Sequence, residues 1–345
     1  MNANTIQNPN DPITNPPPGD TVQCLKWAPT PQMNLLCAGS WDSKCSIWEI
    51  DQAGNNILKA QTSLTEPVLS VSWKNDISSV FVGGCDSQVR IWDLATNQTQ
   101  VIGTHQAPVR DVCFIEQMGI VASGSWDSSV CFWDGRQPNA ILKLPMPGRI
   151  FGMSMRFPLL VSIISDKRYA VWNLQRFQQG NTNAEMTSDP SLKFQIRSVE
   201  CYNDAKGFAL GLIEGRCSMK KVNLDTMKVE NDFTFKCHRD NNNANSLNCI
   251  AFNQVYGTFA TGGSDNSFIY WDKIAKQRLK SYTNLSAPVT AMDFKIDGSL
   301  FAYALGYDWH KGIEGAGSAP SKICYRPCGE DCKPKGYMGQ PSAFK

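Results

Sequence analysis

The sequence lacks the local features that would give it a chemistry of its own. It has no glycine-rich phosphate loop, no nucleophile elbow and no metalloprotease helix. No acid, base and nucleophile come together in any pattern, so neither a catalytic residue nor a cofactor is expected. Charge of one sign is also missing: 33 basic residues face 31 acidic ones in 345, a net of +2. That balance excludes a protein whose main work is wrapping duplex nucleic acid. Long hydrophobic runs are absent. The longest aliphatic stretch, Leu-Leu-Val-Ser-Ile-Ile at 159–164, is far short of the ~20 residues that cross a bilayer, so no membrane insertion is expected. The first 20 residues are rich in Asn and Pro and lack the apolar core of a signal peptide. The 13 cysteines are odd in number, and several fall in strand-like stretches as small apolar side chains, which suits a reducing compartment. Cys324, Cys328 and Cys332 are spaced by four but lack a fourth ligand, so no metal site is expected.

What the chain does contain is a repeat. Gly124-Ser125-Trp126-Asp127 leads to Trp133-Asp134, and near-copies end at Trp48, Trp92 and Trp271, with a weaker one at Trp172. In all five an Asp precedes the closing Trp by six residues. The first four closing Trp are 44, 41 and 39 residues apart. Between Trp172 and Trp271 lie two periods. The intermediate unit has lost its Trp, and Lys220 stands at that position. A seventh unit keeps an Asp as Asp308, then delays its third strand with a Gly-rich insert. Units open alike: Pro67-Val68, Pro108-Val109 and Pro288-Val289 each begin a period-two alternation that ends on an aromatic.

Four strands per unit of about 40–45 residues with a terminal Trp-Asp is the WD40 pattern, and seven units close a ring. The expected fold is therefore all-β, a seven-bladed WD40 β-propeller over residues 21–326. A single blade buries too little apolar surface to stand alone, and stacking blades in a ring buries both faces. Residues 1–20 read as a flexible tail, with 11–15 as candidate outer strand for the last blade. Residues 327–345 read as a flexible basic tail.

The closing Trp indoles need partners when buried. Blade three supplies a complete set in His105, Ser123, Asp127 and Trp133, and blade six offers His238, Thr261, Asp265 and Trp271. Both sets read as structural. The residues a propeller does not need are more informative. Trp41, Trp126 and Trp309 flank the turn Asp on one rim, and Lys236 and Arg239 enter blade six on the same rim. Aromatics and Arg are the residues that carry interface energy, and Arg can grip a carboxylate with two parallel hydrogen bonds.

The degenerate unit, Gly207-Phe208-Ala209-Leu210-Gly211-Leu212-Ile213-Glu214-Gly215-Arg216, followed by Phe233-Thr234-Phe235-Lys236-Cys237-His238-Arg239, resembles the fifth blade of two related WD40 families. One comprises the messenger-RNA export factors of the nuclear pore. The other comprises the mitotic checkpoint proteins that bind checkpoint kinases. Arg156-Phe157-Pro158-Leu159-Leu160-Val161 and Tyr307-Asp308-Trp309-His310-Lys311-Gly312 favour the export family, and the resemblance runs from about Asp20 to Lys335.

The resemblance implies a non-enzymatic adaptor of the nuclear pore. It would bind the GLEBS segment of a Phe-Gly-repeat nucleoporin on its rim and support mRNA export. Its place would be the nucleus, nuclear envelope and pore complex, and also the cytoplasm. By the same resemblance Arg239 and Trp41 contact the segment, and their place on the same rim adds Trp126 and Lys236 as expected contacts. Asp308, Trp309 and Lys311 form a second contact surface, with mRNA or messenger ribonucleoprotein as its candidate ligand. Two alternatives stand beside this reading. One is a checkpoint adaptor for GLEBS-like segments of mitotic kinases or for spindle proteins. The other is a propeller binding RNA through Arg149, Arg156, Lys311, Lys333 and Lys335.

Overall fold

The computed structural model describes residues 5–337 except 8, 138, 189–191, 240–242 and 318. Residues 1–4 and 338–345 of the two terminal segments, Asn241 and Asn242 of the Asn-rich loop, and Ser318 of the Gly-rich insert therefore lie outside the described residues.

The chain forms seven sheets in sequence order around a ring, a seven-bladed β-propeller. The first strands of blades one to seven are Val22–Trp27, Val68–Trp73, Val109–Ile115, Ile150–Arg156, Ile196–Cys201, Leu247–Phe252 and Val289–Phe294. They line the central channel. Each is followed by a second strand buried almost end to end, such as Ile120–Ser125 of blade three or Gly207–Leu212 of blade five. These strands lie between neighbouring blades and meet protein on both faces, so apolar and small residues replace a polar–apolar alternation along them. Fourth strands such as Asn56–Ser63 and Gln98–Thr104 are outermost and carry the exposed side chains.

The hydrophobic core is divided among the seams. One cluster joins blades two and three through Phe81, Val89, Val109, Val121 and Trp133. Another joins blades four and five through Leu159, Tyr169, Phe208 and Leu210. The ring closes because the same device joins blade seven to blade one, through Ala302, Ile323, Tyr325, Val22, Leu25 and Trp27. Each fully buried Val, Leu or Phe contributes roughly 1.5–3 kcal/mol over exposure, so stacking offsets the ordering of thin blades.

Hydrogen bonds in the channel tie adjacent first strands. The Asp111 carboxylate accepts the Met153 N–H at 2.9 Å, and Ser154 Oγ accepts the Cys201 N–H at 2.9 Å. At the closing seam Asp293 accepts the Trp27 N–H at 2.8 Å. Lys220, in blade five, pairs across strands with Phe208, as Trp133 pairs with Val121 in blade three. It is fully buried, with Asn231 Oδ1 at 3.3 Å from its ammonium.

The described parts of both terminal segments pair with or pack on the propeller. Thr5–Gln7 adds a parallel strand to the edge of blade six, against Gln277–Thr283. Ile13 bridges Cys324, and the Thr14 N–H donates to the Ile323 carbonyl at 3.0 Å, so residues 12–14 lie beside the third strand of blade seven. That blade has three full strands, ending in Lys322–Pro327. Beyond it, Cys328 and Cys332 are buried, and Thr258 Oγ1 donates to the Cys332 carbonyl at 2.9 Å. One cation also joins the two segments. Arg326 reaches Asp11 at 3.2 Å and Asp331 at 3.4 Å, and it lies 4.0 Å over the Tyr282 ring.

Candidate functional site

The channel mouth is built by a repeated irregularity. In every blade the pairing of first and second strands slips by one residue immediately after the first buried position. A β-bulge re-aims the extra residue, and here the extra residues include Gln23, Arg110, Phe151, Arg197, Asn248 and Thr290, all of which line one cavity. Trp41 and Trp126 come to the same cavity from the turns after the second strands of blades one and three. Their backbone N–H groups donate to the Thr21 and Pro108 carbonyls, both at 3.0 Å, which pins each turn to the entry of its own first strand. Trp309 completes the aromatic wall from blade seven, and the cavity volume is about 640 Å³.

Two features of this cavity set its chemistry. Trp41 Nε1 donates to Gln23 Oε1 at 3.2 Å, but the buried Nε1 of Trp126 has no acceptor among the described residues. Arg110 and Arg197 likewise make no ion pair or hydrogen bond among the described residues. Burial and then the charge of Arg110 push the Arg197 guanidinium below its ordinary pKa. Two unpaired like charges between aromatic faces favour an anion there.

The structure divides the residues read from the sequence. Trp41, Trp126, Trp309 and Asp308 line the cavity; Lys236, Arg239 and Lys311 do not. Arg239 Nη1 donates to the Glu214 carbonyl at 2.7 Å, and the Glu214 carboxylate lies 3.6 Å away, so this cation is engaged within the chain. Lys236 and Lys311 are exposed. Trp309 is 52% exposed and packs at a tilt of 41° against Tyr307, 5.7 Å between centroids.

Asp308 does not hold the turn position that the sequence suggests. In the register of the other blades, where Trp41 and Trp126 bond back to the strand entry, blade seven uses Gly306, whose N–H donates to the Pro288 carbonyl at 3.1 Å. The turn position is therefore Tyr307, and Asp308 reaches across to blade six. It accepts from Asn248 Nδ2 at 2.9 Å, pairs with His310 Nδ1 at 2.5 Å and accepts from Ser264 Oγ. Burial would raise its carboxyl, but these hydrogen bonds prevail and hold it below the usual range. Its oxygens serve the loop, and Trp309 is the exposed part of that segment.

The blade-three set forms one network. His105 Nε2 meets Ser123 Oγ at 2.7 Å and its Nδ1 meets Asp127 at 3.0 Å, while Trp133 Nε1 donates to Ser123 Oγ at 2.7 Å. Burial lowers the His105 pKa against the opposing pull of Asp127. Blade six repeats it with His238, Asp265, Thr261 and Trp271. The other blades do not. Trp92 uses Asn97, and Trp48 and Trp172 have no acceptor for Nε1 among the described residues.

The cations offered for RNA do not share a face. Arg156 lines the lower half of the channel, whereas Arg149 is exposed at the rim where the Ser165 N–H meets its carbonyl at 2.9 Å. Among the described residues no group of three His, Cys, Asp or Glu side chains could hold a metal ion, and no helix is long and apolar enough to cross a membrane. Arg110, Arg197 and Phe151 are not among the residues expected from the sequence. Their signal was positional: each directly follows the first buried residue of an opening strand.

The fold and the Trp-Asp repeat define a WD40 propeller, and the family model described as WD domain, G-beta repeat matches residues 14–49, 56–93, 96–134 and 230–272. The chain is 38% identical over 333 residues to the Poly(A)+ RNA export protein of Schizosaccharomyces pombe, covering 94% of this chain and 92% of that one. It is 38% identical to Protein Rae1 of Drosophila melanogaster, with 92% and 94% covered. It is 37% identical to the mRNA export factor GLE2 of Chaetomium thermophilum, with 94% and 93% covered. The chain belongs to the Rae1/Gle2 family of WD40 mRNA export factors.

Proposed function

We propose that this chain is a non-enzymatic adaptor of messenger-RNA export that acts at the nuclear pore. It docks an acidic segment of a partner, the GLEBS segment of a Phe-Gly-repeat nucleoporin, across its channel mouth. The observation that carries this reading is the pair Arg110 and Arg197, unpaired and set between Trp41, Trp126 and Phe151. A carboxylate entering there would gain charge-assisted hydrogen bonds, and the indoles would supply a desolvated apolar anchor. Trp309 extends the aromatic wall toward solvent, and Lys236 and Arg239 act as peripheral contacts on the blade five to six side. The names of the relatives support export over the mitotic checkpoint alternative. Nuclear and pore localisation follows from the same reading.

The test is binding of a GLEBS peptide to the full chain by calorimetry. Trp41→Ala and Arg197→Ala should each weaken binding by about tenfold or more, and Arg239→Ala by less. Wild-type affinity in both mouth variants would place the segment elsewhere.

A further inference from the structure

We infer that the channel mouth is also a nucleoside-phosphate site, so that free nucleotides compete with the partner segment for it. This rests on the reading of the mouth as an anion-receiving cavity. Its volume, about 640 Å³, suits a small ligand, since such sites span ~300–1,000 Å³. One carboxylate can be satisfied by one guanidinium. Here two guanidinium groups, from blades three and five, open on the same space with no acceptor among the described residues. Two forks of N–H donors match several anionic oxygens on one ligand better than a single carboxylate. The walls add the second half of the match. Trp41, Trp126 and Phe151 line the cavity beside the two Arg, and flat aromatic faces take nucleobases without regard to their identity.

Asp308 is the acid among the described lining residues, and its oxygens are already committed to Asn248, Ser264 and His310. It therefore leaves the two Arg as the groups available to a ligand. Neither guanidinium holds any described element in place, so either can be removed without undoing the fold.

ATP, tripolyphosphate and adenosine would be titrated into the full chain, read by tryptophan fluorescence and calorimetry. ATP should bind saturably, and adenosine and tripolyphosphate each more weakly. Arg110→Gln and Arg197→Gln should each weaken ATP by about tenfold or more and leave adenosine unchanged. Trp126→Leu should weaken ATP and adenosine and spare tripolyphosphate. Melting temperatures of the Gln variants at or above wild type exclude unfolding as the cause. No saturable ATP signal, wild-type ATP affinity in the Gln variants, or tripolyphosphate binding as tightly as ATP would each overturn the proposal. A GLEBS peptide separates the two readings. Peptide binding that ATP does not displace sinks the nucleotide site and leaves docking intact. ATP binding without peptide binding sinks docking and leaves the nucleotide site standing.

Discussion

Arg110 and Arg197 open on one cavity from the first strands of blades three and five, and burial and then the charge of Arg110 push the Arg197 guanidinium below its ordinary pKa. The fold gains nothing from holding two like charges together. Substituting Arg197 by Gln should therefore leave stability unchanged or raise it by up to about 1 kcal/mol. Thermal denaturation checks this. A loss of more than about 1 kcal/mol would show that Arg197 is a structural residue after all.

The blade-three network should behave in the opposite way. His105→Ala removes the bonds to Ser123 and Asp127 and leaves polar groups buried beside Trp133. A loss of about 2–4 kcal/mol in chemical denaturation is expected. Gly103→Ala tests the packing beside it. A Cβ at Gly103 would sit 2.4 Å from the Trp133 ring, so the ring or the outer strand of blade two must shift. The expected cost is about 1–3 kcal/mol.

Acid should weaken the same blade in two windows. Burial holds His105 below its ordinary value, so the unfolded chain takes up a proton before the folded one does. That stability is complete above about pH 6.5 and falls as pH drops below it. Asp127 is pulled down to about 2: burial opposes this, and hydrogen bonds from Ser129, the Gln106 N–H and His105 outweigh it. Its contribution is present above about pH 4 and is lost as pH falls toward 2. Melting temperature against pH should show both declines, and His105→Gln should flatten the upper one. An upper decline that persists unchanged in His105→Gln would assign it to other groups.

Arg326 ties the two ends of the chain through Asp11 and Asp331, and Tyr303 Oη also donates to Asp11 at 2.8 Å. Arg326→Ala should cost about 1–3 kcal/mol, because the partly buried Asp11 loses its cation and Asp331 is left with Lys280 alone, at 2.5 Å. Limited proteolysis should then cut both terminal segments faster than in wild type. Cleavage at the C-terminal segment alone would show that the N-terminal strand is held independently.

The legible and illegible parts of the chain differ for physical reasons. The Trp-Asp closings and Pro-Val openings recur because each blade needs them, so repetition displayed the propeller and its blade-three network. Trp41 and Trp126 were legible because a blade does not need an indole before its turn Asp. Arg110 and Arg197 were not. Strict alternation after Val109 or Ile196 treats the next residue as an ordinary polar position, and only the slipped register turns it into the mouth. Arg239 shows the converse. Its place near the rim was readable, but the Glu214 contact that engages it arises between two turns of the folded chain. The N-terminal segment read as a tail because Asn and Pro dominate it, and the C-terminal one because Pro, Gly and Lys do; neither composition shows that Arg326, in the last strand, reaches an Asp in each.

Docking at the channel mouth is tested most directly by charge reversal at a residue the fold does not use. Arg197→Glu would be titrated with a GLEBS peptide by calorimetry, alongside wild type and at matched salt. If the segment docks there, the variant folds and loses about a hundredfold or more in affinity, since the mouth would then repel the segment's carboxylates. A folded Arg197→Glu chain that binds the peptide as tightly as wild type would contradict it.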